Sequence, residues 1–461
     1  MRLAILGGGG FRVPLIHQAL LAEGGERRVT ELVLYDVDSR RLTAIRHVLE
    51  QQAAADGHLT AGGAPELRIS ATSDLTEAIV GADFVFSAMR VGGLEGRVID
   101  ERVALDEGVL GQETVGAGGV SYGLRTVPVA VEVARHVAEL APDAWVINFT
   151  NPAGMVTEAM STHLGDRVIG ICDSPVGLSR RVARLLDLDP ATAWFDYAGL
   201  NHLGWLRGVY VGGHDHLPRL LADPEALGSL EEGKLFGAEW LQTLGAVPNE
   251  YLYYYYFARE AVRAGREATQ TRGAFLLRQQ RDFYASTERD AGSALARWRR
   301  TRAEREATYM ADTRMIAGVG DRDSGDVDAG GYEHVALALM RAIARDKRTM
   351  LILNVRNRST LSIVDNDAVV EVPCVVDANG AHPVAINQLP THAVGLVTSV
   401  KAAERAVIEA AVFGSRRAAL TALAIHPLID SVAVAHRILD AYVQRLPQLA
   451  YLRGTTGDRL S

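Results

Sequence analysis

The chain has 461 residues, 48% hydrophobic and 23% charged, which is longer than one core ordinarily supports and ordinary for a globular protein, so two packed domains are expected. With 48 basic and 56 acidic side chains the formal charge is −8, with no basic block. That balance argues against a nucleic-acid partner.

The opening residues MRLAIL run into a glycine loop with no charged leader or cleavage site, and no apolar run reaches membrane-spanning length. Only Cys172 and Cys374 are available for a disulfide, which suits a reducing compartment, so a cytoplasmic protein with no membrane partner is expected. In chain order, residues 3–6 read as an apolar strand, Gly7 to Gly10 as a turn and residues 13–23 as a helix. A strand over 31–35 ends at Asp36 and precedes a helix over about 39–55. Further strands are expected over 67–70, 84–89, 144–148 and 168–172, with a helix starting near Asp74 and another over 124–140. Alternating strands and helices specify a parallel sheet whose ligands lie at the carboxyl ends of its strands. Asp36, Arg90, Asn151 and Cys172 all fall at or just past such ends.

Beyond about residue 195 the pattern changes, with strands expected over 209–211, 350–355 and 369–376 and long helices over 256–310, 332–346 and 399–445. The fold class is therefore α/β. A Rossmann-type parallel-sheet domain over 1–195, like that of lactate and malate dehydrogenases, precedes a mixed α+β domain over 196–461 that carries substrate, metal and oligomer contacts. The glycine- and aspartate-rich stretch 318–331 reads as a mobile surface loop.

The glycine loop alone could be a plain turn, and the usual third glycine is replaced by Arg12. Because it follows a strand, opens a helix and is answered by Asp36 at the end of the next strand, dinucleotide binding is the better reading. Gly7, Gly8, Gly9, Gly10, Phe11 and Arg12 would line the cofactor, and Asp36 would accept from the ribose hydroxyls, favouring NAD. Cys172 alone is usually a small buried hydrophobe, and His202 alone a satisfied core histidine. One stands at a strand end beside Asp173 and the other next to Asn201, which favours a shared site. A thiol and an imidazole can hold one divalent metal, whose identity this donor pair leaves open, zinc suiting a thiolate better than manganese. His214 and His216, flanked by glycines, read as an exposed turn, and Cys374 as strand core. A nucleotide loop with a sulfur–nitrogen pair points to redox chemistry on a metal-chelated substrate.

The motifs then carry a family resemblance almost end to end. They are LYDVD at 34–38, RVGGLEGR at 90–97, GQETVGAGG at 111–119, NFTNPAG at 148–154, ICDSP at 171–175, GLNHLGW at 199–205, PNEYLYYYY at 248–256 and VEVPC at 370–374. With the glycine loop they make the chain resemble glycoside hydrolase family 4, the NAD- and divalent-metal-dependent glycosidases, and most of all its 6-phospho-β-glucosidase members. The resemblance implies that Cys172 and His202 ligate the metal, usually manganese (Mn2+), and that Asn151 positions the substrate. It puts Tyr251 where the family has its catalytic base, and Arg97 and Arg272 where phospho-sugar members meet the 6-phosphate. Two retained arginines favour a phosphorylated sugar, since a guanidinium fork matches phosphate oxygens.

Asp173 would serve as general acid, or else orient Cys172 or a metal-bound water. β-specific members typically carry asparagine after the metal cysteine, and α-specific ones aspartate, methionine and proline. Asp173-Ser174-Pro175 matches neither, so the anomeric preference stays open. The expected reaction oxidises the sugar at C3, removes the C2 proton, eliminates the aglycone, adds water and re-reduces C3. Its substrate would be a phosphorylated disaccharide or aryl glycoside, and the family suggests a homodimer or homotetramer. A neutral-sugar glycosidase of the same family, a 6-phospho-α-glucosidase, an NAD-dependent hydroxy-acid dehydrogenase and a non-enzymatic NAD sensor are the alternatives.

Overall fold

Strands β1 (Arg2–Leu6), β4 (Phe84–Ser87) and β5 (Trp145–Asn148) are apolar because helices cover both faces of a parallel sheet. A computed structural model describes residues 1–55, 67–308 and 331–453; of the stretch 318–331 only Gly331 lies among them. With β2 (Glu31–Tyr35), β3 (Arg68–Thr72) and β6 (Val168–Gly170), these strands pair in parallel in the order β3-β2-β1-β4-β5-β6. Helices α1 (Val13–Leu21), α2 (Ser39–Ala55), α3 (Leu75–Ile79), α4 (Gly93–Asp106), α5 (Gly116–Leu140), α6 (Ala153–Leu164) and α7 (Ser174–Leu185) connect or follow them. This is the doubly wound order of a dinucleotide fold. The direction of winding reverses between β1 and β4, so the loops leaving those strands diverge and open a crevice above the sheet.

The sheet does not stop at β6. Strands β7 (Trp194–Leu200), β8 (Leu203–Val211), β9 (His214–Asp215), β10 (Val247–Pro248), β11 (Thr349–Arg356), β12 (Val369–Asp377) and β13 (Gly380–Pro383) extend it with antiparallel pairing, to 13 strands among the described residues. The junction is narrow, because β11 meets β6 at Asn354 and Gly170, and β12 meets β7 at Glu371 and Gly199. A Cβ on Gly170 would lie 2.8 Å from the Asn354 Cβ and 2.4 Å from the Thr157 hydroxyl, so only glycine lets β11 close onto the parallel half. One large apolar core runs beneath both halves, from Leu3 and Ile5 through Trp205 and Leu206 to Val370 and Val372. Helix α5 is buried along most of its length because α6 and the helix Thr391–Phe413 pack against it.

Four short helices, α8 (Leu217–Leu221), α9 (Pro224–Ser229), α10 (Glu231–Phe236) and α11 (Ala238–Leu244), lead to α12 (Tyr253–Tyr256). The long helix expected over 256–310 is instead three, α13 (Ala258–Glu267), α14 (Arg272–Arg289) and α15 (Ala294–Ala307). Thr271 caps α14, its hydroxyl accepting from the Ala274 N–H at 3.3 Å, and Asp290 accepts from the Gly292 N–H at 3.0 Å. These caps satisfy backbone donors that an uninterrupted helix would have paired. The helix expected over 399–445 likewise starts earlier and divides into Thr391–Phe413, Arg416–Ala424 and Val432–Arg445, the first stopping at Gly414 with φ +66°. Apolar spacing carries across such breaks and hides them. His214 is exposed and Cys374 lies in the core, as expected. No helix among the described residues is long and apolar enough to cross a membrane.

Candidate active site

The crevice at the winding reversal is a cleft of about 430 Å³. Its floor is backbone. The Gly7 and Gly8 N–H groups both donate to the Tyr35 carbonyl, at 2.9 and 2.7 Å, so the chain leaves β1 folded tightly against the end of β2. Gly7 has φ +87°, and a Cβ there would lie 2.5 Å from the Ala88 carbonyl at the end of β4; one on Gly8 would lie 2.8 Å from the Leu34 Cα. Both positions therefore require glycine. Behind the loop, Asp36 accepts from the Gly9 N–H at 3.0 Å, and the Tyr284 hydroxyl donates to the Gly9 carbonyl at 2.7 Å. Gly7, Gly10, Phe11 and Arg12 line the cleft, and Gly8, Gly9 and Asp36 are not among its lining residues. The Phe11 ring itself turns into an aromatic cluster, edge-on to Phe283 at 5.3 Å.

At the carboxyl end of β6, Cys172 and Asp173 precede α7, and both line the cleft. Burial pushes the Cys172 thiol up, and the nearby charges of Glu371 and Asp173 push it further. His202 turns the chain between β7 and β8 with φ +62°, a conformation uncommon outside glycine. It is 6% exposed, and burial lowers its pKa to about 4. Its protons can be followed in detail. The Gln112 Oε1 accepts from the Thr114 and Val115 N–H groups and from the Thr114 hydroxyl at 3.2 Å. With its own proton so engaged, Thr114 Oγ1 accepts from His202 Nδ1 at 2.9 Å. With the Thr114 hydroxyl turned to Gln112, the neutral ring would carry its proton on Nδ1 and leave the Nε2 lone pair to a ligand. Tyr251 stacks on this imidazole with ring centroids 3.6 Å apart and planes 1° from parallel.

Among the described residues no cluster of three or more His, Cys, Asp or Glu forms a metal cage. Cys172 and His202 together supply two donors, and the buried Oδ1 of Asn151, which lines the same cleft, makes no hydrogen bond among the described residues. That set fits a cation which keeps coordination positions open for a substrate.

The opposite wall is built from charge. Against the effect of burial, the guanidiniums of Arg90 and Arg97 hold Glu113 down at about 2, pairing with its two oxygens, while Arg97 Nε also donates to Glu101 at 2.7 Å. Arg272, the first residue of α14, donates to the Thr308 hydroxyl at 2.7 Å and to the Arg305 carbonyl at 2.9 Å. Arg12 stands 3.8 Å from Asp173 and lies over the Tyr332 ring at 4.8 Å.

The structure therefore gathers Cys172, Asp173, His202, Tyr251 and Asn151 into one cleft with Arg97 and Arg272. Of the tyrosine run, Tyr254 also lines the cleft, while Tyr253 is core and Tyr256 accepts from the Trp205 indole N–H at 2.9 Å. Sequence reasoning passed over Glu113, Thr114, Arg305 and Glu371. The first two lie inside GQETVGAGG and were legible as polar residues within a glycine-rich turn. Glu371 had one signal, a charge in the middle of an apolar strand. Fully buried, it accepts from Asn201, Asn354 and Tyr197 at 3.1, 2.8 and 3.0 Å, and burial, outweighing these donors, raises its pKa to about 7.

Comparison with known proteins follows this geometry. Residues 2–188 match the model of family 4 glycosyl hydrolases, and residues 197–429 match that of the family 4 glycosyl hydrolase C-terminal domain. A probable 6-phospho-beta-glucosidase of Bacillus subtilis is 33% identical, covering 97% of this chain and 98% of its own. The structure of the Thermotoga maritima 6-phospho-beta glucosidase with NAD and glucose-6-phosphate superposes with a TM-score of 0.78 at 26% identity, covering 96% of this chain and 98% of that one. A 6-phospho-alpha-glucosidase from gut microorganisms, in complex with NAD and Mn2+, gives 0.76 at 28% identity, covering 96% and 97%.

Proposed function

Because the chain belongs to family 4 of the glycosyl hydrolases, we propose that it hydrolyses 6-phosphoglucosides, β-linked ones by preference, with NAD and a divalent cation, Mn2+ by analogy with its relatives. The observation that carries this reading is the face-to-face stack of His202 and Tyr251 in the cleft that also holds Cys172 and the glycine loop. It puts a phenol against the imidazole that would grip the cation.

In this reading Gly7 and Gly10 bring bare backbone to the dinucleotide, and Asp36 fixes the loop from behind through Gly9. Cys172 and His202 hold the cation, with Thr114 keeping Nε2 of the histidine free of a proton. When bound, the cofactor and cation supply reversible oxidation at the sugar C3 and a Lewis acid beside it, which makes the C2 hydrogen acidic. Tyr251 removes that proton and Asp173 protonates the departing glycosidic oxygen; water then adds its hydroxyl at C1 and a proton returns to C2, and the hydride's return to C3 leaves a net hydrolysis. Asn151 offers its unpartnered carbonyl oxygen to a sugar hydroxyl, and Arg97 and Arg272 face the 6-phosphate.

A second reading, preference for α-linked substrates, is favoured by Asp173, since aspartate after the cysteine is the α-type residue. Both are tested by nitrophenyl 6-phospho-α- and β-glucosides, with NAD and Mn2+ omitted in turn. The expected result is cleavage that needs both additions, without stoichiometric NADH, and with exchange of the C2 hydrogen with solvent. NADH that accumulates in step with product would mark a dehydrogenase instead. Cleavage indifferent to NAD would remove the proposal.

A further inference from the structure

We propose that Arg305, on α15, is the residue that makes this chain select a phosphorylated over a neutral sugar. The inference rests on the phosphoglycosidase reading above and assigns within it a residue that the family motifs do not mark.

Charges along one wall of the cleft are mostly paired. Arg90 and Arg97 are matched by Glu113 and Glu101 in one quartet, so two cations meet two anions and little net charge is left there for a substrate. Arg302 pairs with Glu306, and Arg181 with Glu232. Arg12 shares Asp173. Arg305 lines the same cleft and makes no ion pair with a described residue.

Its surroundings are cationic as well. Arg272 donates to the Arg305 carbonyl at 2.9 Å and to Thr308 one turn on, which ties the two arginines to the end of α15. Burial disfavours the charged form of Arg305, and the guanidiniums of Arg12, Arg272 and Arg97 disfavour it further, with Glu113 the opposing charge. A cation so placed is costly to keep charged unless an anion meets it. A phosphate monoester dianion meets it with two charges and a fork of acceptors suited to a guanidinium. A neutral hydroxymethyl group leaves it unmatched. Arg97 faces the phosphate too, but its pairing with Glu101 and Glu113 leaves it less unmatched charge than Arg305 has.

The test compares the wild type with R305M, R305K and, as a control on the exposed face of the same helix, R300M. Calorimetry measures the binding of glucose 6-phosphate, glucose and NAD to each. The expected result is that R305M weakens glucose 6-phosphate about ten- to a hundredfold, leaves glucose and NAD unchanged, and is partly rescued in R305K. R300M should bind all three within about twofold of the wild type. A wild type that prefers glucose 6-phosphate, with R305M within about twofold of it, would overturn the inference and leave the proposed function standing. A wild type that binds the two sugars alike would remove the proposed function first and this inference with it. If R305M does not fold, R305Q, polar but uncharged, takes its place with the same expected loss.

Discussion

The two walls of the cleft are made in opposite ways. The nucleotide wall is backbone, three strand ends drawn together around Gly7 and Gly8, with side chains excluded by contacts under 3 Å. The facing wall is side chain, with arginines, carboxylates and two stacked rings brought from distant parts of the chain. Thr114 reaches His202 across 88 positions, and Asn201 reaches Glu371 across 170. A backbone wall tolerates no added atom, whereas a charge-built wall tolerates shape changes and fails on charge or proton count. Substitutions on the two walls should therefore fail differently, and this difference can be broken or sharpened by measurement.

The largest effect is expected at Cys172. Cys172→Ser should lower turnover roughly a thousandfold, the scale of several kcal/mol that a Lewis acid supplies, while NAD affinity measured by calorimetry stays the same. A parallel loss of NAD affinity would show that the walls are not independent. Tyr251→Phe follows, with an expected fall of about 10²–10⁴ in kcat and loss of solvent exchange at C2 by proton NMR. Unchanged exchange would assign the base elsewhere.

On the backbone wall, Gly8→Ala forces a methyl against β2 and should destabilise the fold by about 1–3 kcal/mol, with NAD binding weakened. Chemical denaturation and calorimetry would read both. Thr114→Val keeps shape but abolishes the acceptor for His202 Nδ1, so Mn2+ affinity should fall about 10- to 100-fold with NAD affinity untouched.

The smallest effect concerns pH. The folded Glu371 has its pKa raised to about 7 from 4.5, chiefly by burial. Its carboxyl therefore ionises first in the unfolded chain, and stability falls as pH rises through that window, levelling above it, by about 1–3 kcal/mol. Glu371→Gln should remove that step from denaturation curves taken between pH 4.5 and 8. A step that persists belongs to another group.

Legibility in the sequence divides along the same line. The parallel half, its strand ends and the glycine loop were readable because each repeats a local strand-turn-helix pattern. Gly7, Asp36 and Cys172 announce themselves by where they stand in a strand-turn-helix pattern. Helix breaks at Thr271 and Asp290 were missed because apolar spacing continues across them. Arg305 and Glu371 were missed for a deeper reason. Arg305 looks like any other arginine of a charged helix, and its meaning comes from three guanidiniums contributed by the glycine loop, α4 and α14. Glu371 acquires its donors only when β12 closes onto β7 and β11.

The stacked rings of residues 202 and 251 carry one more consequence. Two flat plates lying in register at 3.6 Å cannot slide apart without losing their shared contact, so a swing of the phenol toward solvent would leave the imidazole unsupported. If His202 holds the cation and Tyr251 is the base, gripping the sugar and deprotonating it become one mechanical condition.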